Sequence, residues 1–299
     1  MALIEIKNLK KYYTTSRGLL HAVDDVTMNI ERGKTVGIVG ESGCGKSTLG
    51  KTLIRMEDAT DGTIQFEGQE ITGMSQKEFK KMRMRMQMIF QDPYASLDPR
   101  MSVSQLIAEP LRTYHLAKNK KELDEKVFDL MEEVGLAKRL ANSYPHELDG
   151  GRRQRIGIAR ALSLNPEFIV CDEPVSALDV SIQAQILNLL MDLQESKNLT
   201  YMFITHDMSV VKHISDDICV MYLGQVVEKC GYQELFENPL HPYAQALLSA
   251  IPIPSIHNRK ERIILKGEIT SPVDPKACCR FAARCPYATD LCRQEEPEL

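Results

Sequence analysis

Residues 2–8 and 21–31 alternate apolar and polar positions, the period-two pattern of strands in an antiparallel layer, and TIQFEG (63–68) predicts a third. TVGIV (35–39) is apolar and β-branched throughout, as a buried strand is. TLGKTLIRM after it has helical spacing. From about 75 to 165 the pattern turns helical and charged, through KEFKKMRMRMQ, KKELDEKVFDLMEEVGL and GRRQRIGIARALSL. The Met and Arg interleaving at 82–88 suits a half-buried element leading into MIFQ better than an interaction surface.

Strand-like runs then return at FIVCD (168–172), TYMFITH (200–206) and DICVMYLG (217–224), separated by helical segments at 181–197 and 207–215. Strands alternating with helices predict a largely parallel, covered sheet, hence an α/β fold. HPYAQALLSA (241–250) reads as a last helix, and the prolines of IPIPSI break into a non-helical tail.

Between the buried strand and its helix lies GESGCGKST (40–48). A glycine-rich loop in that context is the phosphate-binding P-loop pattern. Gly40, Gly43 and Gly45 permit backbone torsions and a close approach that side chains would block. Loop N–H groups from Glu41, Ser42, Cys44 and Thr48 onward can then face an anion. Lys46 is placed to reach the β- and γ-phosphates and the Ser47 hydroxyl to meet Mg²⁺. The motif implies a nucleoside triphosphate, with Mg²⁺ as its companion ion.

Length and composition narrow the setting. A chain of 299 residues accommodates one large α/β domain plus an appendage, or two modest domains. A net charge of −4 gives no global attraction to nucleic acid, so none is expected as a partner. The N-terminus lacks a signal-type apolar core, and no apolar run approaches the roughly 18–20 residues that span a bilayer. A cytoplasmic protein that reaches a membrane only through partners is expected. Eight cysteines are too few for a disulfide scaffold. Cys44, Cys171, Cys219 and Cys230 read as small core residues, whereas Cys278, Cys279, Cys285 and Cys292 crowd together near the C-terminus.

FIVCDEP (168–174) is an apolar strand ending in two carboxylates. A P-loop enzyme needs an acid for Mg²⁺ at such a strand tip, and Asp172 fits that position. Glu173 is then free to orient and deprotonate the attacking water.

Gln91 in MIFQDP, LDGGR (148–152), CDEP, SALD (176–179) and His206 in FITHD follow one another in the order and spacing of an ABC-transporter ATPase subunit, which the chain resembles from residue 3 to about 250. The resemblance implies a P-loop NTPase of the ABC ATPase type, with a RecA-like core, an antiparallel β layer and a helical subdomain at about 92–165. Residues 1–240 would form the nucleotide-binding domain and 241–299 a C-terminal extension. It further implies that Tyr13, or its neighbour Tyr12, stacks on adenine and that Gln91 touches Mg²⁺ and the lytic water. Asp172 would stabilise Mg²⁺, Glu173 act as general base, and His206 contact the γ-phosphate. Two such subunits would close head to tail, each nucleotide lying between one P-loop and the other subunit's signature loop, with Asp179 in the communicating D-loop.

The signature loop departs from the family's LSGGQ, reading Leu148, Asp149, Gly150, Gly151 and Arg152. An ionised aspartate cannot donate to a γ-phosphate as serine does. About 4 Å from a phosphate charge it would cost roughly 4 kcal/mol per pair at an effective dielectric near 20. Arg152 offers an offsetting cation, and Asp149 also suits the N-cap of a helix at 150–164. A functional variant and a weakened site both stay open. With a different chain as partner, the two ATP sites would be unequal.

The segments ELFENPLHPYAQALLSAIP (234–252) and CCRFAARCPYATDLC (278–292) resemble the C-terminal extension of oligopeptide and dipeptide importer ATPases, with Ala244 where threonine is common. The resemblance implies an importer ATPase peripheral to the cytoplasmic face of the cell membrane. It would pair with a second ATPase subunit, like or unlike itself, and dock on two permeases fed by an extracytoplasmic substrate-binding protein. Short peptides are the expected solute, with nickel or another solute as the alternative. A soluble ABC protein of repair or translation is the more distant one. Some relatives hold an iron–sulfur cluster here. Cys279, Cys285 and Cys292 match three of its thiolates, Cys278 is an adjacent extra, and a [4Fe–4S] cluster usually takes four cysteines. Packed, reduced thiols are the other reading of that tail.

Overall fold

The structure, a computed structural model, describes residues 2–251, 262–267 and 271–297. In chain order the chain forms β1 (Ala2–Thr15), β2 (Gly18–Glu31), β3 (Thr35–Val39), α1 (Lys46–Leu53), β4 (Asp61–Phe66) and β5 (Gln69–Glu70). Then come α2 (Gln76–Arg85), β6 (Met86–Ile89), α3 (Val103–Thr113), α4 (Lys120–Glu133), α5 (Gly150–Leu162) and β7 (Phe168–Asp172). Next are α6 (Val180–Lys197), β8 (Thr200–Ile204), α7 (Met208–Ile214) and β9 (Asp217–Tyr222). β10 (Gln225–Gly231), α8 (Tyr232–Glu237) and α9 (Pro242–Ser249) complete the series. Two compact units result, one from residues 1–73 and 203–299 and the other from 74–202.

In the first unit a four-stranded antiparallel sheet runs in the order β2-β1-β4-β5. Period-two burial on β2 turns Val26, Met28 and Ile30 inward and leaves Thr27, Asn29 and Glu31 exposed. β1 and β2 are longer than the alternation predicts, because they join as one hairpin with Thr15 opposite Gly18. In the same unit β3, buried along its whole length, pairs in parallel with β9, and β10 adds antiparallel to β9. The Thr205 N–H beyond β8 donates to the Ile38 carbonyl at 3.2 Å, so β3 and the end of β8 deliver their following loops at one edge. β10 and α8 are absent from the sequence reading, which has strands only up to 224 and the next helix at 241.

The C-terminal part of this unit is held by an aromatic cluster. Tyr222 meets Tyr243 with ring centroids 4.8 Å apart and Phe281 at 5.2 Å, edge-on in both cases. Val39, Val220 and Leu235 surround them. Most of IPIPSI lies outside the described residues.

In the second unit β6 pairs in parallel with β7, so the predicted helical stretch 75–165 contains a strand. Met82, Met86 and Met88 are buried, in keeping with the half-buried reading of that run. Ser75 and Glu78 cap α2 reciprocally: the Glu78 carboxylate accepts from the Ser75 N–H at 2.9 Å, and the Ser75 hydroxyl accepts from the Glu78 N–H at 3.4 Å.

Candidate active site

In the first unit the loop after β3 has the torsions its glycines anticipate. Gly40, Gly43 and Gly45 have φ of 151°, 79° and 105°. A Cβ at Gly45 would lie 2.0 Å from the Ala22 carbonyl oxygen and one at Gly40 2.2 Å from that of Met221, whereas one at Gly43 meets nothing within 4 Å. The loop is thus packed at its ends and open in the middle, a cradle that fits an anion. α1 starts at Lys46 with no side-chain cap, so its first N–H groups face the same opening.

Lys46 is buried, and its ammonium is satisfied inside the loop by the carbonyls of Gly40 at 2.8 Å and Glu41 at 2.9 Å. The Cys44 thiol is buried and pushed up by that burial. Tyr13 hydrogen-bonds Glu57 and also the Thr48 side chain; burial and the Glu57 bond push its phenol up to about 12. Tyr12 is committed differently. Its hydroxyl donates to Asp24 and its ring stacks on His21 at 3.9 Å. Of the two tyrosines it is Tyr13 that touches a P-loop residue. His206, exposed, follows β8 at the same edge.

The second unit gathers the acids. β7 ends in Asp172, 4% exposed, and the chain then turns through Glu173 at a φ of 45°. A left-handed glutamate is an uncommon backbone state, of a kind that clusters at functional sites. Gln91, just past the parallel β6, donates from Nε2 to the Glu173 carboxylate at 3.0 Å. These two predicted residues are therefore brought together.

The same unit holds the signature loop. Asp149 is the N-cap of α5, accepting from the Arg152 N–H at 2.8 Å, and its carboxylate lies 3.4 Å from the Arg152 guanidinium. Asp149 is thus the helix cap its position suits, with the Arg152 cation beside it. A Cβ at Gly151 would come within 2.6 Å of Ile182 and one at Gly150 within 3.0 Å of Leu178, so the glycines let this loop press on the SALD segment and the first turn of α6. Asp179, at its end, is the exposed N-cap residue of α6.

Cys279 lies near Cys285 and Cys292, and its N–H donates to the Cys292 carbonyl at 3.1 Å. Cys278, Cys279, Cys285 and Cys292 are half-buried free thiols, and among the described residues no group of three or more His, Cys, Asp or Glu is placed to hold a metal ion. Burial pushes the Cys279 thiol up, while the Thr289 hydroxyl, 3.3 Å from the Cys292 sulfur, pulls that thiol down. Cys279 and Cys285 pack against the Tyr222–Tyr243–Phe281 cluster. This arrangement does not fit a [4Fe–4S] cluster.

Sequence reasoning missed the residues that hold the site from behind. Arg284 pairs with Glu41, Tyr243 accepts from the Glu41 N–H, and Arg280 pairs with Asp24. Nothing local in the sequence marks them as supports of the loop.

A parallel strand, a glycine cradle and a helix begun by a buried lysine define a P-loop nucleotide-binding protein. The profile described as ABC transporter matches residues 23–176, and that of the oligopeptide/dipeptide transporter C-terminal region matches 227–292. The oligopeptide transport ATP-binding protein AppF of Bacillus subtilis is 51% identical, across 99% of this chain and 93% of its own length. OppF of Escherichia coli, also an oligopeptide transport ATP-binding protein, is 52% identical over 99% of this chain and 89% of its own. Among solved structures, the dimeric post-hydrolysis ATP-binding cassette MJ0796 with ADP and Pi superposes with a TM-score of 0.71. It is 29% identical over 77% of this chain and 98% of that one. The chain belongs to the ABC transporter family. Its fold is that of an ABC ATPase, an α/β P-loop core with an antiparallel layer and a helical subdomain, and its cofactors are ATP and Mg²⁺.

Proposed function

We propose that this chain is the ATP-hydrolysing subunit of an importer for short peptides. The observation that carries the catalytic half is the strand-end Glu173, left-handed and hydrogen-bonded to Gln91. The importer half is supported by relatives named for oligopeptide transport that align along nearly all of the chain.

In this reading the P-loop from Gly40 to Thr48 holds the phosphates, Lys46 leaves the loop carbonyls for the β- and γ-oxygens, and Tyr13 stacks on adenine. Tyr13 is preferred to Tyr12 because it reaches Thr48 while the Tyr12 ring is covered by His21. Ser47 and Gln91 would hold Mg²⁺, with Asp172 behind them, and the ion would neutralise charge developing on the phosphates. Glu173 takes the proton of the attacking water, Gln91 orients the Glu173 carboxylate, and His206 contacts the γ-phosphate. Asp149, Gly150 and Gly151 would face the nucleotide of a second ATPase subunit, with Asp179 at that seam.

Residues 1–240 act as the nucleotide-binding domain and 241–299 as its extension. Among the described residues no helix is long and apolar enough to cross a membrane. Attachment to the cytoplasmic face is accordingly assigned to two permease partners, with an extracytoplasmic binding protein delivering the solute. The iron–sulfur expectation is not carried into this reading, because the thiols as placed form no metal-holding group. Stoichiometric iron with cluster absorbance in anaerobically purified protein would reinstate it.

The deciding experiment is ATP turnover in proteoliposomes containing this chain, its partner ATPase and the permeases, challenged with a panel of peptides and with Ni²⁺. Stimulation by peptides supports the reading. Stimulation by Ni²⁺ alone would transfer the ATPase to a nickel importer, and no turnover under any condition would overturn it.

A further inference from the structure

Glu41 is the second residue of the P-loop, and three of its groups are occupied. Its carbonyl accepts from Lys46 at 2.9 Å. Its N–H donates to the Tyr243 hydroxyl at 2.8 Å. Its carboxylate takes both terminal nitrogens of Arg284, at 2.8 and 3.1 Å. Two of these three contacts come from beyond residue 240. Tyr243 belongs to α9 and is fully buried, and the Arg284 side chain is 8% exposed. Neither can drift without disturbing the Tyr222–Tyr243–Phe281 cluster, over whose Tyr222 ring the guanidinium lies at 5.8 Å.

The same short turn makes a second attachment. Arg280 pairs with Asp24 and donates to the Leu223 carbonyl, and Asp24 also accepts from Tyr12 and lies 2.9 Å from the His21 ring nitrogen. Arg280 and Arg284 thus reach the strand hairpin that carries Tyr12 and Tyr13 on one side and the phosphate loop on the other. A carboxylate within a loop that must receive a polyanion is an electrostatic liability. A bidentate guanidinium neutralises it and fixes its direction at once. Because the Glu41 carbonyl also holds Lys46, the pair sets the resting place of the one lysine the triphosphate needs.

We propose that Arg284 is a positioning residue of the nucleotide site, acting through Glu41, so that the C-terminal extension sets the affinity of the P-loop for the triphosphate. The inference rests on the ATPase reading and adds a role for the extension within it. Arg284 has no direct part in the chemistry. Its removal should therefore weaken binding and leave turnover at saturation intact.

The test compares wild type, Arg284→Gln, Arg284→Lys and the double variant Glu41→Gln/Arg284→Gln as full chains. Thermal melts and far-UV CD establish folding, and Kd for MgATP and for adenosine is measured beside kcat and KM. Arg284→Gln should raise the MgATP Kd and KM by about tenfold, equivalent to ~1.4 kcal/mol. Adenosine binding and kcat should stay within about twofold, since the lost charge compensation acts on phosphates. Arg284→Lys should fall between wild type and Arg284→Gln, keeping the charge and losing the fork. The double variant should recover most of the affinity, because the uncompensated carboxylate is gone.

A folded Arg284→Gln with wild-type MgATP affinity overturns the proposal. So does a loss shared equally by adenosine or unrelieved in the double variant, which would make Arg284 a packing residue only. Should Arg284→Gln fail to fold, Arg284→Lys decides alone, and a change below about threefold counts against the role. Wild type that binds no adenine nucleotide would instead strike the ATPase reading itself.

Discussion

Gln91 and Glu173 share a hydrogen bond of 3.0 Å across the ends of two parallel strands, joining residues 82 positions apart. Gln91 is held from behind by β6, and Glu173 sits in a backbone state that only its surroundings can enforce. The pair is a carboxylate and the amide that aims it.

Glu173→Gln should abolish turnover while preserving nucleotide binding. A general base contributes on the order of 10²–10⁴ in rate, so kcat should fall by at least the lower figure. Gln91→Ala leaves the carboxylate in place but unaimed, and its loss should be smaller. The comparison is made by steady-state hydrolysis beside MgATP titration. A loss on Gln91→Ala matching that of Glu173→Gln would contradict the aiming role.

Asp149 does two jobs that substitution separates. Asp149→Ala removes the α5 cap and should cost about 1 kcal/mol, seen as a fall of roughly 2–4 °C in Tm. Asp149→Ser keeps a capping oxygen and should melt near wild type, and it also removes a negative charge from the signature loop. In the proposed head-to-tail pairing, turnover at the site facing this loop should therefore rise for Ser. In a heteromeric pair, each subunit's catalytic glutamate can be replaced in turn, and equal losses would argue against unequal sites.

Gly45→Ala places a methyl 2.0 Å from a backbone oxygen at a φ of 105°. Neither side of that contact is a flexible side-chain end, so the loop must move. MgATP affinity should drop and Tm should fall by the equivalent of about 1–3 kcal/mol. Gly43→Ala has open space around it and only its φ of 79° to overcome, so it should melt higher than Gly45→Ala. Differential scanning calorimetry of the two variants is sufficient.

The Asp24 carboxyl is raised by burial, but the hydrogen bonds from Tyr12 and His21 and the Arg280 charge together bring it below its ordinary value. A depressed folded value means stability that is complete above the unfolded pKa, near 3.9, and is lost as pH falls through the lower folded one. Asp24→Asn should therefore melt below wild type near neutral pH, with the gap closing under about pH 4. Melts from about pH 7 to pH 2.5 measure it, and a gap that widens in acid would reverse the sign.

The cradle and the acidic strand end were readable because each is written in consecutive residues. TVGIV, GESGCGKST and FIVCDEP carry their own periodicity and glycine pattern, and the structure returns β3 and β7 with the predicted bounds. β6 was hidden because four residues inside a charged, helix-forming run become a strand only by pairing with β7. β10 was hidden for a similar reason, since Gln225–Gly231 alternates weakly and is fixed by β9. Asp149 was ambiguous in sequence because one residue type serves both as cap and as charge, and the structure uses it as both. The supports of Glu41 had no local signature at all. Arg284 is 243 positions away and is brought to the loop by aromatic packing.

That separation bears on biosynthesis. The ion pair at Glu41 can close only after residue 284 has left the ribosome, so a nascent chain emerges with its lysine loop still unbraced. Translation that stalls before this point leaves a polypeptide with every nucleotide-binding motif intact and no counter-charge for Glu41. Such fragments should compete poorly for cellular ATP.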